Sequence, residues 1–213
     1  MFYHSPSAQT CTNIFTKEER EYMLEVEGEN YNSEFEKFKY NAMHEYIEKE
    51  YVLARDTPSD INEHIEVLRN LASTCESVIE LGVRDGISTR AFLPLDIKLR
   101  SYDLYKHPYV EHLFQTMKNC GKDFLYSVGD SLKIELEECD MLFIDTDHTY
   151  NQLNQELKLH GNKAKKYLVF HDVESYRNEL MPAIEIFKSK NTQWKTLEHY
   201  KHNNGLLILE REV

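Results

Sequence analysis

The 213-residue sequence predicts an α/β fold built on a parallel sheet with helices on both faces. From Ser77 onward, apolar strand-like runs alternate with helical patterns, and five of those runs close on acidic or glycine-bearing segments. The stretch Val78-Ile-Glu-Leu-Gly-Val-Arg-Asp-Gly86 leads one such strand into two of the chain's seven glycines, with a helical pattern behind it. Glycines four apart at a strand-to-helix turn let the backbone bend sharply and let a ligand approach where a Cβ would obstruct it. A tight connection alone would explain the pair, and the pattern departs from the dinucleotide fingerprint G-x-G-x-x-G because the middle glycine is missing.

Residues 1–57 are rich in Tyr, Glu and Lys, contain only Gly28 among glycines, and read as an N-terminal helical extension, a lid or a dimer surface, ahead of a domain over 58–213. Asn32 and Ser33 can cap a helix over 34–55 with Phe35, Phe38, Met43, Tyr46 and Ile47 on a loose apolar stripe. Pro58, Ser59 and Asp60 open a second helix, with Glu63 placed to answer the cap and Ile61, Ile65, Leu68 and Leu71 on one face. Strands follow near 77–83, 98–104, 123–128, 139–145 and 166–171, with helical patterns near 87–95, 109–120 and 149–162. After a helix near 177–190, two strands, 193–200 and 206–210, flank Asn204-Gly205, a hairpin signal that predicts a closing antiparallel pair.

A formal charge of −12 and the lack of a Lys/Arg cluster argue against a nucleic-acid partner, because binding polyanions requires basic residues to replace counterions. No segment reaches the roughly 20 apolar residues of a membrane span. The start, Met-Phe-Tyr-His-Ser-Pro, lacks a basic region followed by an apolar run, so the expected location is cytoplasmic, away from membranes. Cys11, Cys75, Cys120 and Cys139 lie far apart with no C-x-x-C pair, which fits buried free thiols in a reducing compartment.

In an open parallel sheet, ligands bind beyond the carboxyl ends of the strands. Those ends carry Glu80 and Gly82, then Asp103, then Gly129-Asp130-Ser131, then Asp145-Thr-Asp147-His148, then His171-Asp172. Asp favours caps and turns, so one such residue needs no ligand to explain it; acid groups after all five strands imply a shared site. Asp103, about 20 residues beyond the glycine turn, is placed to accept from two ribose hydroxyls and would repel a phosphate. That suits an adenosine without phosphates, S-adenosylmethionine rather than NADP, and is compatible with NAD.

Together, Glu80-Leu-Gly-Val-Arg-Asp-Gly86, Asp103, Gly129-Asp130-Ser131, Phe143-Ile-Asp-Thr-Asp-His-Thr-Tyr150 and Val169-Phe-His-Asp172 resemble a class I S-adenosylmethionine-dependent methyltransferase. More narrowly, they resemble the group whose fourth and fifth strands end in FID-x-x-H and HD, similar to metal-dependent sugar and catechol O-methyltransferases. The likeness covers about residues 59–211 and leaves residues 1–57 outside. It implies a Rossmann-like seven-stranded sheet, parallel with a terminal antiparallel strand. By position, Glu80, Gly82 and Gly86 would line the methionine and ribose portion of the cofactor, Asp103 would hold the ribose, and Asp130 with Ser131 would meet the adenine. Arg84 replaces the usual second glycine of the loop, its side chain pointing either to solvent or onto the cofactor carboxylate. Asp145 and Asp172, with His171 or a water, would be the metal ligands, and Asp145 also belongs to the catalytic and cofactor sets. An oxygen-rich set suits Mg²⁺. Val173 departs from the amide ligand of the catechol enzymes. His148 matches the general base of the sugar-modifying enzymes.

The preferred reading is thus a metal-assisted O-methyltransferase acting on a small hydroxylated acceptor such as a sugar or glycan unit. Methyl transfer from a sulfonium is an in-line displacement that needs an aligned, deprotonated acceptor oxygen; a histidine can take the proton and a cation can acidify the hydroxyl. An NAD-dependent oxidoreductase fits the glycine turn and Asp103 equally well, but no Ser/Tyr/Lys catalytic pattern accompanies them. A catalytically silent cofactor-binding or assembly module, dimerising through residues 1–57, is the third reading. His148 could instead bond the loop backbone just before the Thr149-x-x-Gln152 helix start. Ile186, Phe187 and Trp194 read as core, Lys163-Ala-Lys-Lys166 as a solvated loop, and Tyr150 and Tyr176 as candidates for an acceptor pocket.

Overall fold

A computed structural model of the chain describes residues 29–212, with side chains from residue 41. Cys11 and the rest of residues 1–28 lie outside the described residues, as do the side chains of Phe35 and Phe38. The chain divides into Met1–Glu50 and Tyr51–Val213, and the second unit holds the sheet. Helix α1, Glu29–Asp56, ends inside that unit, where Tyr51 and Ala54 are buried and the Arg69 guanidinium lies 4.2 Å from the centre of the Tyr51 ring. No helix among the described residues is long and apolar enough to cross a membrane.

The strands are β1 (Ser77–Leu81), β2 (Lys98–Asp103), β3 (Phe124–Val128), β4 (Cys139–Ile144), β5 (Ala164–His171), β6 (Trp194–Tyr200) and β7 (Leu206–Arg211), in the order β3-β2-β1-β4-β5-β7-β6. Neighbours from β3 to β5 pair in parallel, and β7 is antiparallel to both β5 and β6. This is the Rossmann-like seven-stranded fold that the resemblance implied. Every residue of β4 is buried, as expected of a central strand covered on both faces. The chain winds outward from β1 to β3 and then returns to β4 on the other side of β1, so the reversal of strand order falls between β1 and β4, and it is beyond their carboxyl ends that a ligand site is expected.

Helices α2 (Ile65–Ala72), α3 (Pro108–Asn119), α4 (Tyr150–His160) and α5 (Arg177–Lys190) cover the sheet. Pro108 opens α3, where its missing N–H costs nothing. Thr149 caps α4 by accepting from the Gln152 N–H. Trp194, 1 % exposed, packs with Phe187 and donates its indole N–H to Asn162 Oδ1; burying such a side chain stabilises by roughly 1.5–3 kcal/mol. Cys75 and Cys139 are buried free thiols, and burial pushes Cys139 up to about 12. In the hairpin turn Asn203, Asn204 and Gly205 all have positive φ.

The helix expected over 34–55 begins at Glu29, so Asn32 and Ser33 lie within it rather than at its cap, and four further local expectations fail. The helix near 87–95 is only a 3₁₀ turn, Ser88–Ala91, because the Ser88 and Thr89 hydroxyls are drawn to Glu80 and Pro94 cannot continue a helix. The helix expected from Pro58 begins regularly only at Ile65: the Asp60 carboxylate is taken by Arg84, and the Glu63 N–H donates to Asn203 Oδ1. Ile186 is 38 % exposed rather than core. Lys165 and Lys166 lie in β5 and pair with Glu138 and Asp140 instead of forming a loop.

Candidate functional site

The glycine turn brings two backbones into contact. At Gly82, φ is +86°, and a Cβ there would stand 1.9 Å from the Asp145 carbonyl oxygen. The turn after β1 therefore packs directly on the turn after β4, while the Asp145 N–H donates to the Leu81 carbonyl at 2.8 Å. Arg84 follows at φ +49°, a left-handed conformation that costs a non-glycine residue about 1–2 kcal/mol. Asp103 pins this strained loop: its Oδ2 accepts from the N–H groups of Val83 (2.9 Å) and Arg84 (2.8 Å), and its Oδ1 from that of Tyr105 (2.9 Å). Burial alone would raise the Asp103 pKa, but these backbone donors outweigh it and hold the carboxyl below its usual range. Arg84 points neither to bare solvent nor to an isolated position: its Nη2 meets Asp60 Oδ2 at 2.6 Å.

Glu80 lies at the end of β1 as expected; it is fully buried, lines neither cavity, and accepts from the hydroxyls of Ser88 (2.6 Å), Thr89 (2.8 Å) and Ser101 (2.6 Å). Burial pushes it up to about 7 against the pull of those donors. Glu80 thus braces the turn from beneath.

Two cavities open above the strand ends. The larger, about 540 Å³, lies over β2 and β3 and is lined by Asp103, Leu104, Asp130, Ser131, Leu132 and Gln152 among others. The smaller, about 140 Å³, is lined by Asp60, Ile61, Asp85, Ile87, Ser88 and His148. Both share Gly82, Val83, Arg84, Asp145 and Thr146, so together they form one bent cleft across the turn. Gly86, also at positive φ, packs against Val110 and lines neither cavity. Beneath the larger cavity lies Glu156, fully buried, which accepts from Ser131 Oγ (2.6 Å), Thr146 Oγ1 (2.9 Å) and Gln152 Nε2 (2.9 Å). Its partners come from the loops after β3 and β4 and from α4, so it ties the cleft floor together. Burial raises its pKa, opposed by the three donors.

At the far end of the cleft, the ends of β4 and β5 bring together Asp145, His148, His171 and Asp172. His148 Nε2 lies 2.9 Å from Asp172 Oδ2 and 3.3 Å from Asp145 Oδ1. His171 Nδ1 lies 3.4 Å from Asp145 Oδ2 and 3.5 Å from Asp172 Oδ2, while its Nε2 faces the Asp60 carbonyl at 3.1 Å. Burial disfavours charge on both histidines, but the two carboxylates outweigh it and hold His148 up at about 9 and His171 at about 10. Burial likewise opposes ionisation of Asp172, and its imidazole partners still keep it well below the usual carboxylate range. Asp172 has φ +60°, and its Oδ1 is buried with no hydrogen-bond partner, as is His171 Nδ1. Tyr176 stacks on His148 at 4.4 Å between ring centres, and Tyr150 packs at the edge of the core. Val173 is fully buried and offers no ligand.

Asp145, His148 and Asp172 each present a donor atom within 4.8 Å of one another, a set that could hold a cation. His148, expected as a base, therefore stands in the set that could hold a cation, and His171, expected as a ligand, stands beside it with Nδ1 on the same two carboxylates. Asp60 and Glu156 went unrecognised in the sequence. Asp60 reads as a helix cap, and Glu156 reads as a surface residue of an amphipathic helix; only their distant partners reveal them.

No family model matches the chain, and no curated protein matches it. Solved structures do. A methyltransferase from Geobacter sulfurreducens is 19 % identical with a TM-score of 0.58, covering 82 % of this chain and 88 % of its own. An O-methyltransferase from Bacillus cereus in complex with S-adenosylhomocysteine is 14 % identical with a TM-score of 0.54, covering 80 % and 91 %. The N-methyltransferase NodS from Bradyrhizobium japonicum, also with S-adenosylhomocysteine, is 15 % identical with a TM-score of 0.54, covering 80 % and 98 %. Identities this low speak to architecture, and the architecture is the one these methyltransferases share.

Proposed function

We propose that this chain is an S-adenosylmethionine-dependent methyltransferase, a metal-assisted O-methyltransferase acting on a small hydroxylated acceptor such as a sugar or glycan unit. The observation that carries the reading is the acid-histidine centre of Asp145, His148 and Asp172 at the end of a cleft whose other end is walled by Asp103, Asp130 and Ser131. Relatives in architecture are crystallised with S-adenosylhomocysteine, which supports the choice of cofactor over NAD.

In this reading the larger cavity takes the adenosine. Asp103 Oδ1 keeps capacity to accept from a ribose hydroxyl while Oδ2 stays on the loop amides, and Asp130 and Ser131 border the base. Asp145, Asp172 and His148 or His171 would hold Mg²⁺. The donors fit such an ion: Asp145, His148 and Asp172 each present a donor atom within 4.8 Å of one another, and Asp172 Oδ1 is buried with no hydrogen-bond partner. When bound, Mg²⁺ supplies Lewis acidity that lowers the pKa of an acceptor hydroxyl. It would also offset the carboxylate charge that holds the proton on His148, returning that imidazole toward the range in which it can accept one. Tyr176, stacked on His148, would hold the plane of that ring. Residues 1–57 would serve as a lid or a subunit contact that keeps water from the reacting centre.

Two measurements test this. A thermal-shift comparison of S-adenosylhomocysteine with NAD should show stabilisation by the first alone. Methyl transfer to a competent hydroxylated acceptor should be lost with excess chelator and restored by Mg²⁺; full activity in chelator would remove the metal from the reading.

A further inference from the structure

The turn between β6 and β7 reaches two segments that flank the acid-histidine centre. Asn203, Asn204 and Gly205 stand at φ +45°, +67° and +91°, left-handed residues in succession. On one side, the Asn204 carbonyl accepts from the N–H groups of Glu174 (2.9 Å) and Ser175 (3.1 Å), in the loop that follows Asp172. On the other, the Asn203 side chain donates from Nδ2 to the Ser59 carbonyl at 2.8 Å and accepts at Oδ1 from the Glu63 N–H at 3.2 Å. The carbonyls of His202 and Asn203 both accept from His64 Nε2 at 3.1 Å, and His64 is fully buried with its ring centre 6.0 Å from that of His171. Segment 59–64 is therefore tied to the turn at both ends, and Asp60 lies between those ties. The Asp60 carbonyl faces His171 Nε2 at 3.1 Å. A carbonyl can only accept, so this hydrogen bond needs the proton on Nε2. Nδ1 is then the nitrogen turned to Asp145 (3.4 Å) and Asp172 (3.5 Å).

We propose that Asn203 is a positioning residue for the acid-histidine centre: by anchoring segment 59–64 it keeps the Asp60 carbonyl on His171 Nε2 and so aims His171 Nδ1 at the two carboxylates. The proposal rests on the reading of that centre as the reacting one. Asn203 lines neither cavity, so its effect runs through the segment it anchors. The hairpin signal itself needs only Asn204-Gly205. At φ +45° glycine would hold the turn with less strain than asparagine; what asparagine adds is a donor and an acceptor, and both are used on segment 59–64. A group that fixes the far nitrogen of an imidazole at a metal centre is typically worth about 10- to 100-fold in metal affinity.

The test is NMR of the histidine ring N–H groups in the full chain, labelled with ¹⁵N in histidine and kept in chelator, with His171→Gln to assign the resonance that disappears. The native chain should show a His171 Nε2–H resonance protected from exchange with water by the Asp60 carbonyl. Asn203→Gly keeps the left-handed turn and deletes both side-chain bonds, so that resonance should broaden or vanish. Calorimetric titration with Mg²⁺ should show the same variant weakened by about 10-fold or more. Asn204→Gly, which changes the neighbouring left-handed residue and keeps its carbonyl, should alter neither readout. A His171 resonance that survives unchanged in Asn203→Gly, even with a lowered urea midpoint, makes Asn203 a brace of the hairpin alone and overturns the proposal. Equal losses in the two glycine variants, or no protected resonance in the native chain, overturn it as well. A native chain that binds no Mg²⁺ removes the metal from the reading of the centre, and the link from Asn203 to His171 is still decided by the resonance, which is recorded without the ion.

Discussion

His148 Nε2 lies 2.9 Å from Asp172 Oδ2, an ion pair joining the loop after β4 to the end of β5. Around it, His171 and Asp145 complete a square in which each imidazole faces both carboxylates. The centre is therefore electrostatically closed in the absence of any cation, and this sets its response to pH.

His148 is held at about 9, above its ordinary 6.5, so the stability it contributes is fully present below about pH 6.5 and is lost as pH rises through 9. Asp172, held below its ordinary range, contributes stability that is present above about pH 4 and is lost as pH falls. In chelator, the urea midpoint should be highest between about pH 4 and 6.5 and should decline from there to pH 9. His148→Gln should roughly halve the alkaline decline, leaving the share that belongs to His171. An alkaline slope that the substitution does not change would show that the pair does not form in solution.

Gly82 is the least replaceable residue of the turn. A Cβ placed 1.9 Å from the Asp145 carbonyl meets backbone, which cannot rotate away, in a conformation at φ +86° that side chains disfavour. Gly82→Ala should lower stability by more than the roughly 1–3 kcal/mol of ordinary overpacking and displace Asp145, weakening S-adenosylhomocysteine as well. Gly121→Ala is the control, since a Cβ there meets nothing within 4 Å and only its positive φ is strained.

The strands were legible because central parallel strands are nearly continuous apolar runs, and their carboxyl ends were legible because Asp103, Asp145 and Asp172 close those runs. Local periodicity misled where a side chain was claimed by a distant partner. Ser88 and Thr89 serve Glu80 instead of a helix, and Asp60 serves Arg84 instead of a cap. The direction of the Arg84 side chain could not be read from the loop motif, because it is decided by a residue 24 positions earlier. The position of Glu80 at the end of β1 was legible, and the three hydroxyls that enclose it were not, because Ser88, Thr89 and Ser101 come from other segments.

Glu156 joins Ser131, Thr146 and Gln152 into one buried network. Glu156→Leu would leave those groups without their acceptor beneath the cleft, at about 1–3 kcal/mol for each buried polar group left unpaired. Urea titration should show a loss of that order, and affinity for S-adenosylhomocysteine should fall together with that for methylthioadenosine because the floor bears on the adenosine end. Glu156→Gln keeps shape and some of the bonding, and should recover most of both. A Leu variant as stable as the native chain would mean that the network is not closed in solution.

The last prediction joins the metal to the base. Because His148 and His171 are held protonated at neutral pH by the same carboxylates that would ligate Mg²⁺, the ion must compete with protons for the site. Metal affinity measured by calorimetry should therefore increase as pH is raised from 6 to 9, by up to about tenfold per pH unit where one proton is released for each ion bound. His148→Gln removes one competing proton and should flatten that dependence. Asp172→Asn removes a ligand charge and should weaken the metal across the whole range while leaving S-adenosylhomocysteine affinity nearly intact. In turnover at neutral pH with Mg²⁺, His148→Ala should cost about 10² to 10⁴, the usual contribution of a positioned general base. If His148→Ala lowers only metal affinity, and saturating Mg²⁺ restores the native rate, His148 is a ligand and the proton acceptor must be sought elsewhere in the cleft.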